Sequence, residues 1–153
     1  MDPDIRFFRL PPTVDRKSIG RFMTSLRHRV LQGRSFACLI TTDAELQRLN
    51  RTFRRKDYPT DVLSFPAPSC VTGLSLSADP YLGDMAISWQ RARAQAREFG
   101  HTTETEIQLL MLHGALHLAG MDHETDGGRM SRAETRWRRA LGLPAGLIER
   151  VSA

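Results

Sequence analysis

Cysteine is almost absent from this 153-residue chain: only Cys38 and Cys70 occur, too few for a disulfide framework. Both read as structural, unpaired thiols, and a reducing cytoplasm is the expected setting. Lysine is nearly missing as well, occurring only as Lys17 and Lys56. No apolar run approaches the roughly 18 residues of a membrane-spanning helix, so a membrane is not among the expected partners. The opening Met1-Asp2-Pro3-Asp4 is acidic and has neither the basic nor the apolar stretch of a secretory signal. Repeats, low-complexity tracts and an internal linker are also lacking. Residues 1–153 therefore read as one domain, large enough to bury about 68–70% of its unfolded surface.

What the chain does have is positive charge. Lys and Arg total 22 against 17 Asp and Glu, a net charge of +5, and the pI is near 10.0. Arginine supplies nearly all of it, and its planar fork suits two-point contacts with phosphate. An anionic partner such as nucleic acid follows as an expectation. Charge alone does not decide the matter, because arginine bias also arises in GC-rich genomes.

Ile5 to Leu10 reads as a first strand, ended by Pro11-Pro12. Ile19, Phe22, Met23, Leu26 and Val30 follow helical spacing, stopping near Gly33. Phe36 to Ile40 is a short buried strand. Thr42-Asp43-Ala44-Glu45 is a capping box opening a helix with Leu46, Leu49 and Phe53 inside. Val62 to Phe65 and Tyr81 to Ile87 read as strands on either side of a loop from Pro66 to Pro80. A helix burying Trp89, Ala92, Ala96 and Phe99 follows. Thr103-Glu104-Thr105-Glu106 reads as a second capping box, opening a helix apolar on all sides and so expected in the core. A last helix, from about Asp126 to Leu141, buries Met130, Ala133, Trp137 and Leu141. The expected fold is α+β, a central mixed sheet of about four strands covered by about five helices.

The densest chemistry lies in that core helix, at His113-Gly114-Ala115-Leu116-His117-Leu118-Ala119-Gly120-Met121-Asp122-His123. Four residues apart, His113 and His117 project from one helix face. Gly120 can end the helix in the left-handed conformation and swing His123 back towards the pair. A single histidine on an apolar face is usually a core residue satisfied by hydrogen bonds. Two at ligand spacing, with a third past a glycine turn, favour a metal site, since an unpaired buried imidazole is costly. Three nitrogens with no nearby cysteine suit an open catalytic zinc rather than a closed structural one.

The spacing also matches the zinc helix of metzincin proteases. Those enzymes carry a glutamate general base directly after the first histidine, and here that position is Gly114. A glycine inside a helix suggests close backbone packing or close substrate approach, and it counts against peptidase activity. Asp122 reads equally as a group orienting a ligand or as a turn residue. Glu124 and Asp126 read as turn and cap residues, and His28 and His101 as surface residues.

The stretch from His113 to His123 resembles the signature of the YbeY family of bacterial endoribonucleases and rRNA maturation factors. The resemblance continues through Leu49 to Phe65, with Pro59-Thr60-Asp61-Val62-Leu63-Ser64-Phe65 intact and Phe53 standing where the family has tyrosine. It includes Tyr81-Leu82-Gly83-Asp84-Met85-Ala86-Ile87, and Glu106, Met130 and Glu134 fall at matching places. It runs from about Thr42 to Leu143.

That resemblance implies a zincin-like metal helix binding one Zn²⁺ through His113, His117 and His123. It implies a single-strand-specific endoribonuclease acting in maturation of the 16S rRNA 3′ end and in ribosome quality control. The implied partners are precursor 16S rRNA and the small ribosomal subunit or its associated proteins, met in the cytoplasm by a monomer. Arg54 falls on the family's arginine, so Arg54 and His113 are the expected catalytic residues, Arg54 as a phosphate clamp. Arg51, Arg55 and Lys56 are expected to guide the RNA backbone. Asp84 and Asp61 are candidates for the general base. Two other readings stay open, a metal-dependent hydrolase of another substrate such as peptide and a non-catalytic, zinc-stabilised ribosome-assembly factor.

Overall fold

Alternation along each strand decides what lies on either side of the sheet. The computed structural model describes residues 4–55, 60–67, 81–122 and 125–152. Its strands are β1 (Ile5–Phe7), β2 (Ser35–Thr41), β3 (Val62–Pro66) and β4 (Tyr81–Ser88), arranged in the order β1-β2-β4-β3. The first three strands in that order run parallel, and β3 closes one edge antiparallel to β4. This is the expected α+β fold with a mixed four-stranded sheet. Pairing sets Cys38, Met85 and Ser64 on one face and Ala37, Asp84 and Phe65 on the other.

The first face is covered by α1 (Arg16–Arg29), α3 (Trp89–Phe99), α4 (Thr103–Leu118) and α5 (Arg129–Ala140). Ile19, Met23, Leu26, Ile107, Leu110 and Met130 pack there against Phe36, Ile40, Met85 and Ile87. Each large aliphatic side chain buried this way contributes about 1.5–3 kcal/mol. On the second face, among the described residues, lies one helix, α2 (Asp43–Arg54), whose Leu46 and Leu49 pack on Leu39, Leu63 and Ala86. Burial among hydrocarbon pushes the Cys38 thiol pKa well up, so this cysteine stays a neutral core side chain.

Several expectations are corrected. A sixth helix, α6 (Leu147–Ser152), follows the five expected. The second capping threonine is Thr102, whose side chain accepts from the Thr105 amide, because Glu106 turns inward instead of back to the cap. Phe53 is 65% exposed, not inside, since α2 overhangs the end of the small cluster that Leu46 fills. Phe99 is likewise partly exposed and is covered by an arginine. β1 ends at Phe7 because the backbone turns left-handed at Arg9. Lys56, Pro59, Cys70, His123, Glu124 and residues 68–80 of the expected loop lie outside the described residues. Among the described residues, no helix is long and apolar enough to cross a membrane.

Candidate active site

The histidine segment sits where α4 stops. Eleven of its sixteen residues are buried, as its apolar circumference requires. Gly120 takes φ +97°, its N–H donates to the His117 carbonyl at 2.9 Å, and the Met121 N–H donates to the Leu116 carbonyl at 3.1 Å. This pair of bonds is the Schellman terminator, which glycine closes without strain.

The turn also serves His117 directly, because the Met121 carbonyl lies 3.0 Å from His117 Nδ1. His113 Nδ1 lies 2.8 Å from Oε2 of Glu134 on α5. Both partners are acceptors, so each Nδ1 carries a proton and donates it. The two rings stand with centroids 4.8 Å apart and planes at 78°.

Glu134 is itself fixed at both oxygens. Its Oε1 accepts from the Ile148 amide of α6 at 2.9 Å, and its side chain is buried. Gly146 is needed beside it, since a Cβ there would collide with Oε1. Further along α6, Arg150 forks onto the buried Glu106 carboxylate at 2.5 and 2.8 Å and lies 4.1 Å from the Phe99 ring. Buried charges persist only when paired in this way. Arg138 of α5 forks onto Glu149 at 2.8 Å on each oxygen and holds that carboxyl down at about 2. The short C-terminal helix thus braces the α4 and α5 residues behind His113.

Gly114 has a packing reason. A Cβ would stand 3.1 Å from Met85 Sδ and Cε and 3.2 Å from Ser64 Oγ, and Ser64 donates to the Gly114 carbonyl at 3.3 Å. The helix backbone rests almost directly on β3 and β4. A protease-type glutamate at this position would enter that contact.

Of the other expected residues, Arg54 stands exposed at the last turn of α2. It therefore lies on the second face, with edge strand β3 between its helix and α4. Asp84 is on the second face too, accepting from the Tyr81 hydroxyl, and so points away from the histidine pair. Asp61 spends both oxygens as a strut, accepting from the Val62 amide at 2.8 Å and from Gln95 at 3.1 Å. Asp126 accepts from the Met130 amide at 2.9 Å in the first turn of α5, whose N-cap is Gly128. His28 is exposed on α1, and His101 stacks on Phe99 with centroids 6.3 Å apart.

A family model described as Endoribonuclease YbeY matches residues 15–142. The chain belongs to the Endoribonuclease YbeY family. Proteins named Endoribonuclease YbeY from Solibacter usitatus and Koribacter versatilis are 59% and 44% identical to it. The first similarity covers 97% of this chain and 95% of the relative, the second 91% and 86%. The solution structure of TM1509 from Thermotoga maritima superposes with a TM-score of 0.57 at 25% identity, covering 90% of this chain and 89% of that one. The YbeY match begins at Asp15, so it takes in α1, ahead of the motifs that start near Thr42.

In this YbeY-family chain the donor chemistry fits a divalent metal ion. Two imidazoles stand side by side, each Nδ1 held by an acceptor, a carboxylate for one and a backbone carbonyl for the other, which is how metal-binding histidines are usually oriented. Among the described residues, no further His, Cys, Asp or Glu completes a group of three with them. The third expected ligand, His123, lies outside the described residues. Sequence reasoning missed α6 and Arg150, and it placed Glu106 and Glu134 only by resemblance. Pro144 and Gly146 ahead of Leu147-Ile148 are the only local sign of that helix.

Proposed function

We propose that the protein is a metal-dependent endoribonuclease that holds one zinc ion through His113, His117 and His123 and cuts single-stranded RNA. Its proposed substrate is the 3′ region of precursor 16S rRNA, met at the small ribosomal subunit in the cytoplasm. The observation that carries this reading is the pair of Nδ1 contacts, to Glu134 and to the Met121 carbonyl, which orient the two rings side by side as metal-binding histidines are oriented. The names of the relatives support RNA as substrate.

When bound, such an ion supplies Lewis-acid activation of water and of the phosphoryl group. Glu134 keeps the His113 ring in one orientation and one tautomer through turnover. Arg54, exposed at the end of α2, offers a two-point contact to a phosphate and to the charge that builds on it during cleavage. Arg51 and Arg55 beside it draw the RNA backbone by charge, an attraction that weakens with salt. A strand touching both the histidines and Arg54 would pass round the β3 edge. Gly114 opposes peptide hydrolysis, because its contacts with Met85 and Ser64 leave no place for a base.

The test is cleavage of labelled single-stranded and hairpin RNA by the metal-loaded protein. His117→Ala is expected to abolish cleavage. Arg54→Ala should lower turnover about 10²–10³-fold, as loss of one charge-stabilising donor does, with melting unchanged. Full-rate cleavage by Arg54→Ala would remove the clamp. Cleavage by metal-stripped protein would overturn the metal's part.

A further inference from the structure

The second face of the sheet carries a cavity of about 580 Å³ that the histidine pair does not use. Its origin is geometric. Four strands at about 4.8 Å spacing make a face wider than one helix of about 10 Å diameter can cover. Helix α2 packs over β3 and β4, and among the described residues no other helix covers the β2 and β1 side of this face. Small side chains deepen the gap, since Ala37 and Ala86 form its floor with Leu39. Leu49, Phe53 and Phe65 make the wall, with the Phe53 and Phe65 rings edge to face at 5.7 Å and 68°. Arg6 and Asp84, both exposed, and Asp4, which pairs with Arg27, bring charge to the lining.

We infer that this cavity receives one unpaired nucleobase of an RNA strand, with preference for a base that carries an exocyclic amino group. The inference rests on the RNA-cleaving reading above. A ring as exposed as Phe53 contributes little to the core, yet it offers the flat apolar surface on which bases stack. The volume falls in the range of small-ligand sites, about 300–1,000 Å³. The Asp84 carboxylate repels a phosphate inside the cavity and accepts hydrogen bonds from amino groups, which adenine, cytosine and guanine have and uracil lacks. The phosphates stay outside, towards Arg51, Arg54 and Arg55, exposed in the last turn and C-cap of the helix that carries Phe53. An apolar ligand would use neither those arginines nor the three lining charges.

The experiment titrates the full-length, metal-loaded protein with adenosine 5′-monophosphate, uridine 5′-monophosphate and ribose 5-phosphate, following the Ala37 and Ala86 methyl signals by NMR. The adenosine nucleotide should move both signals to saturation and the uridine nucleotide should bind more weakly. Ribose 5-phosphate should leave them in place. Phe53→Ala should weaken adenosine binding about tenfold, in line with the loss of one stacking ring. Asp84→Asn should narrow the adenosine-to-uridine difference while keeping the shape. Equal shifts with ribose 5-phosphate, or signals that move only with an added peptide, would overturn the pocket. RNA cleavage by the wild type is scored separately. If none occurs while adenosine binds here, the nuclease reading fails and the pocket stands.

Discussion

Replacing Glu134 with glutamine changes one atom and almost no volume, yet both of its neighbours are donors. Oε2 faces the His113 Nδ1–H at 2.8 Å and Oε1 faces the Ile148 N–H at 2.9 Å. A glutamine has one acceptor oxygen and one NH₂ group, so it can satisfy only one of them. If the oxygen stays with Ile148, the NH₂ faces His113 and forces the proton from Nδ1 to Nε2, removing the lone pair a metal needs. If the oxygen turns to His113, the Ile148 amide is left buried against a donor. Either way one buried group loses its partner, which costs about 1–3 kcal/mol. A change of that size lowers the melting temperature of a domain this large by about 5 °C. Zinc affinity, read by competition with a chelating dye, should fall about 10–100-fold, the usual effect of losing such a supporting partner. A Glu134→Gln protein that melts near wild type and binds zinc with undiminished affinity would refute the tautomer argument.

Installing the protease-type base should fail both ways. Gly114→Glu forces a Cβ into Met85 and Ser64 and buries a carboxylate, so it should destabilise the fold by more than about 2 kcal/mol and yield no peptide cleavage in a library screen. Acid should loosen the C-terminal brace. Glu149 titrates at about 2 in the fold against an ordinary value of 4.5, because Arg138 and then the Gly146 amide hold its charge. Its depressed pKa means the contribution is complete above pH 4.5 and is lost as pH falls through 2. Near solvent the pair is screened, so about 1 kcal/mol is expected. The stability gap between wild type and Glu149→Gln in urea titrations should therefore close between pH 4.5 and pH 2. A gap that stays constant over that range would show that the Arg138 pairing does not stabilise the fold.

What was legible in the sequence was local. The spacing of His113 and His117, the stop at Gly120 and the cap at Thr42 each depend on residues within one or two turns, and each appears in the fold as read. The choice of Thr102 over Thr103 as cap was not legible, because it depends on Glu106 meeting Arg150, 44 residues away. Helix α6 was hidden by its length, since six residues carry too little periodicity to stand out. The exposure of Phe53 follows from where α2 ends relative to the sheet, which helical spacing does not encode. The sequence offered two reasons for Gly114, and only the contact with Met85 and Ser64 selects packing.

X-ray absorption at the zinc edge, on zinc-loaded protein, tests the metal assignment most directly. The account predicts three imidazole nitrogens at about 2.0–2.1 Å with one oxygen donor from solvent, falling to two imidazoles in His123→Ala. A sulfur shell near about 2.3 Å, or a full set of four protein donors, would contradict it.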